Sequence, residues 1–328
     1  MHVSRLGLGA AIAAALVAFT ALAASAAAST KWADLRVVTH TGRTLAEFRQ
    51  YTGSTTVRAS TKGDCFGSPS TNKRYAMGDA NALGIVKDAM KSDHALSPLV
   101  LTDAFVDDGF GLGVCTIGGF TTVGSSYWDL VVNHVTSSTG ASLTPVQNGD
   151  QILWYFTSGN EPISGPRELV LSAPAQARPG KPFTVEATRY TSAGKSSPAG
   201  GVTITDDGRS IGKTGPDGSL EATLPDSATL EADGTANDVP SNRVEVCVGS
   251  GQCPGAHGKV IYGSGHADRI KGTHGPDRIT ARGGSDVVDL RSGGEDRVNC
   301  GGGRDEVIVD SGDRNDHIAP SCERVKRR

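Results

Sequence analysis

The strongest constraint in this chain is a spacing near its C-terminus. From Gly263 onward an aspartate recurs with an aliphatic residue two places after it: Asp268 with Ile270, Asp277 with Ile279, Asp286 with Val288, Asp296 with Val298, Asp305 with Val307 and, more loosely, Asp316 with Ile318. The steps between aspartates are nine, nine, ten, nine and eleven residues, and a glycine sits two places before most of them, at Gly275, Gly284, Gly294 and Gly303. A period near nine with glycine, aspartate and one apolar position marks a parallel solenoid built from glycine-rich turns and very short strands. The turns take glycines because their backbone enters positive φ. The aliphatic residue points inward and stacks on those of neighbouring coils. The carboxylates are expected to line up along one edge, beside turn carbonyls. Stacked carboxylates repel, and a hard divalent cation with oxygen ligands relieves that repulsion.

The units GTHGPDRIT (272–280) and ARGGSDVVD (281–289) resemble the calcium-binding nonapeptide repeats of the RTX (hemolysin-type) family, and the resemblance covers about a fifth of the chain. It implies a parallel β-roll with structural Ca2+ held by Asp268, Asp277, Asp286, Asp296 and Asp305, helped by turn carbonyls such as those of Gly275 and Gly284. There are departures. Ser264, Thr273 and Arg282 stand where the family has its second glycine, and His266 occupies the fourth position of the first unit. Arg269, Arg278 and Arg297 each follow an aspartate. The rival expectation is therefore a metal-free solenoid in which Arg–Asp pairs do part of the ion's work.

At the other end, residues 1–28 carry a basic start (His2, Arg5), an apolar run from Leu6 to Ala24 and small residues that fit an A-x-A cleavage site. This is the pattern of a secretory signal peptide. No later segment approaches the length of a membrane span. The expected location is secreted, extracellular or associated with a bacterial cell surface. A formal net charge of −3 gives no ground for a nucleic-acid role. Six cysteines form an even set in an exported chain, and sequence locality suggests the pairs Cys65–Cys115, Cys247–Cys253 and Cys300–Cys322.

Residues 29–158 read as a small α+β domain. A helix is expected over 79–91, capped by Asp79 or Asn81, among strands at Asp34–Val38, Ser54–Arg58, Pro98–Asp103, Tyr127–Val135 and Gln151–Thr157. The pairing of Trp128…Asn133 with Gly149-Asp150-Gln151-Ile152-Leu153-Trp154-Tyr155 resembles the transcobalamin-C-terminal-like domain of unknown function found in bacterial surface proteins. That resemblance implies a β-grasp-like sheet with one helix, and a corrinoid as one conceivable ligand. Here His134 follows Asn133 where the family has glycine, so a different turn is expected. Trp128, Trp154 and Tyr155 are candidate ligand-binding residues, with core filling as the competing role.

Residues 167–248 alternate short strands with turn signals such as Gly215-Pro216-Asp217-Gly218, and resemble bacterial immunoglobulin-like modules. Glycine-, proline- and serine-rich stretches at 159–166 and 249–258 read as linkers, leaving 259–328 as the roll. No HExxH, GxSxG or P-loop occurs. The chain as a whole reads as mostly β and multidomain. It is expected to be a non-catalytic secreted or surface protein, with a structural calcium roll and an N-terminal module for an unknown partner or small ligand. A corrinoid-type capture protein and a secreted hydrolase with accessory modules are the alternatives.

Overall fold

A computed structural model describes residues 30–159, 167–235, 237–249, 258–273, 275–312 and 315–328. The signal-peptide reading, most of both linkers, Cys253 and His274 therefore lie outside the described residues. The chain is mostly β, arranged in several sheets, with one α-helix among the described residues, Ala82–Ala89.

That helix is shorter than expected, and its start is set by Asn81. The Asn81 side chain accepts the Gly84 N–H at 2.9 Å, which satisfies one of the donors left over at a helix N-terminus. Leu83, Ile85 and Val86 enter the largest core, together with Leu35, Val37, Ile117, Ile152 and Trp154.

A nine-stranded sheet runs through the molecule. In spatial order it contains His317–Ile318, Arg297–Asn299, Arg278–Thr280, Val260–Tyr262, Thr44–Thr52, Lys31–Thr39, Asp150–Phe156, Trp128–Val132 and Val135–Thr136. The first four belong to the C-terminal repeats and the other five to the N-terminal unit. The units are thus not strung apart: Arg49 pairs with Ile261 and Gln50 with Tyr262, in parallel. The strand Thr44–Thr52 was not legible in the sequence. Its polarity pattern fits neither a one-sided nor a fully apolar strand, because its far end is covered by the repeats. Tyr51 leaves the N-terminal core and packs among Ile261, Ile270 and Ile279. Gln50, fully buried, donates to the Gly263 carbonyl at 3.1 Å.

The repeats wind into two parallel sheets. Arg278–Thr280 pairs with Arg297–Asn299 on one side, and Arg269–Lys271, Val287–Asp289, Glu306–Val309 and Arg324–Arg327 stack on the other. One full coil is therefore two nine-residue units. Ile270, Ile279, Val288, Val298 and Val307, each two after an aspartate, fill the thin interior.

Between these units, residues 167–248 form two sheets that enclose a core of Leu169, Leu171, Val185, Ile204, Leu230 and Val246. This unit sits against the back of the nine-stranded sheet. Arg36 donates to Glu168 at 2.5 Å and to the Pro240 carbonyl, and Val239 packs with Val38, Val131, Leu153 and Tyr155. The expected change at the Asn133-His134 turn does not occur. Both residues take positive φ, 48° and 69°, as a two-residue hairpin between strands requires. His134 adopts what a glycine would adopt more cheaply. Its ring meets Glu168 Oε2 at 2.9 Å and stacks on Tyr190 with centroids 4.0 Å apart, contacts that offset the backbone cost.

Tyr51→Ala removes the side chain that joins the two units' cores, at a cost of about 3–5 kcal/mol. One cooperative thermal transition, shifted down for both units, is the expected outcome by differential scanning calorimetry. An unchanged N-terminal transition beside a separate early one for the repeats would show that the pairing is incidental.

Candidate functional site: an aromatic cavity and a buried carboxylate row

A cavity of about 670 Å³ opens in the N-terminal unit, lined on its apolar sides by Phe66, Phe105, Phe110, Tyr127, Trp128 and Trp154. Its walls come from distant parts of the chain, and local chemistry fixes each one. Asp150–Phe156 and Trp128–Val132 run antiparallel, so Trp154 and Trp128 emerge on the same face. The Trp128 indole N–H donates to the Phe120 carbonyl at 2.9 Å, and its ring lies 5.1 Å from Phe156. Phe66 follows Cys65, which is bonded to Cys115 in the strand Gly113–Ile117. The disulfide thereby holds Phe66 at the mouth, edge-on to Phe105 at 5.1 Å.

The floor needs glycine. Gly140 donates to the Phe110 carbonyl at 3.0 Å, and a Cβ on Gly140 would collide with that oxygen. Gly111, at φ 90°, lies against Ser142 in the same crossing. A side chain at either place would push the Phe110 loop off its wall. The loop behind, residues 60–73, is tied down by Asp103. Its carboxylate accepts from the Thr71 N–H at 2.9 Å, Ser70 Oγ at 3.0 Å and Tyr75 Oη at 2.8 Å, and these donors hold it well below the usual carboxylate range despite its desolvation.

Of the three aromatics singled out from sequence, Trp128 and Trp154 meet in this cavity and Tyr155 does not. Adjacent residues of a strand face opposite ways, and Tyr155 turns to the packing with the second unit. Trp154 is 2 % exposed and its indole N–H, buried, has no hydrogen-bond acceptor. A buried donor left unmet costs roughly 1–3 kcal/mol. Sequence reasoning missed Phe66, Phe105, Phe110 and Tyr127. The available signal was the clustering of Phe105, Phe110 and a neighbouring Cys–Phe pair in a chain only 5 % aromatic.

The aspartates form a second cluster, and the expectation of one edge is corrected. Because a coil is two units, they divide into two rows: Asp268, Asp286, Asp305 and then Glu323; Asp277, Asp296 and then Asp316. In each row the carboxylate of one coil accepts the backbone N–H of the aspartate one coil earlier. Asp286 Oδ1 accepts from Asp268 N, Asp305 Oδ1 from Asp286 N and Asp296 Oδ1 from Asp277 N, all at 2.8 Å, and Glu323 closes the first row at 2.8 Å. The five predicted aspartates are all buried. The Arg–Asp pairs also fail to form. Arg269, Arg278 and Arg297 are exposed, on the opposite face from the carboxylates beside them, and no described ion pair includes them. Hydroxyls take that role at two positions. Ser264 Oγ donates to Asp268 at 3.2 Å and Thr273 Oγ1 to Asp277 at 2.8 Å, from the places a second glycine would hold.

At Asp286 the matching position is Arg282, which points away to the Gly263 carbonyl at 2.7 Å. Asp286 Oδ2 and Asp305 Oδ2 are buried without a hydrogen-bond partner. The carbonyl of Gly284 and Asp305 Oδ1 both lie where a Cβ on Gly303 would reach, and the carbonyl of Gly275 and Asp296 Oδ1 where a Cβ on Gly294 would. Among the described residues no group of three or more His, Cys, Asp or Glu converges as a metal cluster.

A family described as a domain of unknown function, DUF4430, matches residues 107–158. It is the transcobalamin-like family. The matched stretch contains every cavity-lining residue except Phe66 and Phe105. No curated protein and no solved structure matches the chain. No helix among the described residues is long and apolar enough to cross a membrane, and the two described disulfides, Cys65–Cys115 and Cys300–Cys322, are compatible with an extracellular protein.

Burial, together with the stacked carboxylates of Asp268 and Asp305, pushes Asp286 up to about 7. Its folded value lies above its unfolded one, so the protonated form favours folding. The contribution is complete below the unfolded pKa of about 3.9 and is lost as pH rises through about 7. In chelator at pH 8, Asp286→Asn keeps an acceptor for the Asp268 N–H and removes the charge. It should raise stability by on the order of 1–3 kcal/mol and flatten the pH dependence of the thermal midpoint between pH 4 and 8. A lower midpoint at pH 8 would contradict the placement of the charge.

Proposed function

We propose that this is a non-catalytic extracellular binding protein that captures a small, largely apolar ligand in the cavity between Trp128, Trp154 and the Phe105–Phe110 loop. The observation that carries this reading is an apolar space walled by six aromatic side chains drawn from distant parts of the chain. A volume of about 670 Å³ with mostly apolar walls suits a drug-sized molecule. The exposed rings of Phe66, Phe110 and Tyr127 at the rim add apolar surface that a monomer has little reason to leave open. A corrinoid, the ligand associated with the related domain in transcobalamin, remains the alternative occupant, resting on the family match alone.

The neutral dye phenylnaphthylamine tests this. Its emission should rise saturably at one equivalent, with energy transfer from tryptophan, and the rise should vanish in Ala141→Phe, which fills the cavity from a buried wall position. An equal rise in the filled variant would move the site elsewhere.

The repeats act as a cation-stabilised scaffold in the same proposal. The spare oxygens of Asp286 and Asp305, and the turn carbonyls of Gly275 and Gly284 close to carboxylate oxygens, supply the hard donors that Ca2+ takes. Asp268 and Asp277, already served by Ser264 and Thr273, contribute less to such a site. Millimolar calcium should raise the thermal midpoint over chelator in the native chain, and much less in Asp286→Asn/Asp305→Asn. Identical midpoints in calcium and chelator would leave the roll metal-free.

A further inference from the structure

Arg278 and Arg297 each follow an aspartate, yet take no part in the carboxylate rows, and the roll gives them another setting. Ile279 and Val298 point into the thin core, so the residues on either side of each point outward. Arg278 stands directly beside Arg297, and Thr280 beside Asn299, on adjacent parallel strands. His317 continues the first column beyond Arg297. Neighbouring strands lie about 4.8 Å apart, so two exposed guanidinium groups rise side by side from one face.

Like charges in register work against a sheet. The opposite sheet of the roll avoids this. There Lys271 is registered with Asp289, and Glu306 with Arg324, whose guanidinium reaches its carboxylate at 3.5 Å. On the arginine face the outward strand positions hold no carboxylate, and Glu295, in a turn, comes only to His317, at 4.0 Å. The aspartates that balance these arginines in the sequence are buried within. Folding has separated acid from base, and a repulsive pair is kept without a described partner from the chain.

An anion from outside supplies that partner. The guanidinium fork matches a carboxylate through two parallel hydrogen bonds. Beside the arginines stand the Thr280 hydroxyl and the Asn299 amide, whose Oδ1 already accepts from Ser321 Oγ at 3.0 Å, leaving its N–H groups as donors. These suit the hydroxyls of a sugar ring, whereas a bare polyphosphate would engage the arginines and leave both idle.

We propose that this face of the roll binds a linear polysaccharide with carboxylates on its sugar rings. It is a second site, separate from the aromatic cavity and independent of what that cavity holds.

Fluorescence anisotropy of labelled hexagalacturonate, titrated with the full mature chain at fixed calcium and low salt, tests this. Saturable binding is expected, weakened by added salt and by about tenfold in Arg278→Gln/Arg297→Gln. Arg269→Gln/Lys271→Gln removes the same charge from the opposite sheet and should change affinity by no more than about twofold. The thermal midpoint of Arg278→Gln/Arg297→Gln without polymer should hold or rise, since a repulsion is relieved. Absence of binding, equal loss in both double variants, or a lowered midpoint in the first would overturn the proposal. Displacement of the glycan by linear hexaphosphate at lower concentration than by unlabelled hexagalacturonate would overturn the assignment to a carboxylated sugar.

Discussion

The pairing of Thr44–Thr52 with Val260–Tyr262 is the contact on which the rest depends. A solenoid has two ends, and each exposes unpaired backbone and core side chains. Here the first coil is covered by the N-terminal unit through Tyr51 and Gln50. The last coils are closed by Cys300–Cys322 and by the strand Arg324–Arg327. The same pairing extends one sheet from the repeats to the cavity. Lys31–Thr39 lies between Thr44–Thr52 and Asp150–Phe156, and the latter presents Trp154 to the cavity on one face and Tyr155 to the second unit on the other.

The carboxylate rows show how a nine-residue repeat divides its work. One oxygen of each aspartate serves the backbone of the preceding coil, so the aspartate is structural whether or not an ion is present. The other oxygen carries the electrostatic problem. Where serine or threonine has replaced glycine, at Ser264 and Thr273, a hydroxyl answers it. Where Arg282 stands, no described hydroxyl does, and burial raises the proton affinity of Asp286 to about 7; burial raises that of Asp268 too, although Ser264 donates to it. The unmatched carboxylate oxygens of Asp286 and Asp305 are where the proposed cation would be needed.

Much of the architecture was legible because it rests on period and punctuation. The spacing of aspartate, glycine and aliphatic residues gave the coils and their inward residues, and cysteine locality gave the two described disulfides. The helix was legible through Asn81. What escaped has one common cause, which is contact between parts distant in sequence. Thr44–Thr52 reads poorly because its burial comes from residues more than two hundred positions away. The rows were misjudged because a single unit is half a coil, which only the stacking reveals. Two of the cavity's six aromatic side chains were found, Trp128 and Trp154, since both sit on strands with a readable alternation. Phe66 and Phe110 sit on loops, and their convergence depends on a disulfide and on the glycines at 111 and 140.

The chain carries three tryptophans, and this makes ligand capture directly observable. Nuclear magnetic resonance of the three indole N–H groups, recorded with and without phenylnaphthylamine, tests the central claim. Trp154 and Trp128, whose rings line the cavity, should shift. Trp32, stacked under the Arg49 guanidinium at 3.8 Å beside the repeats, should hold still. Three unmoved resonances at saturating dye, or a shift confined to Trp32, would contradict the account.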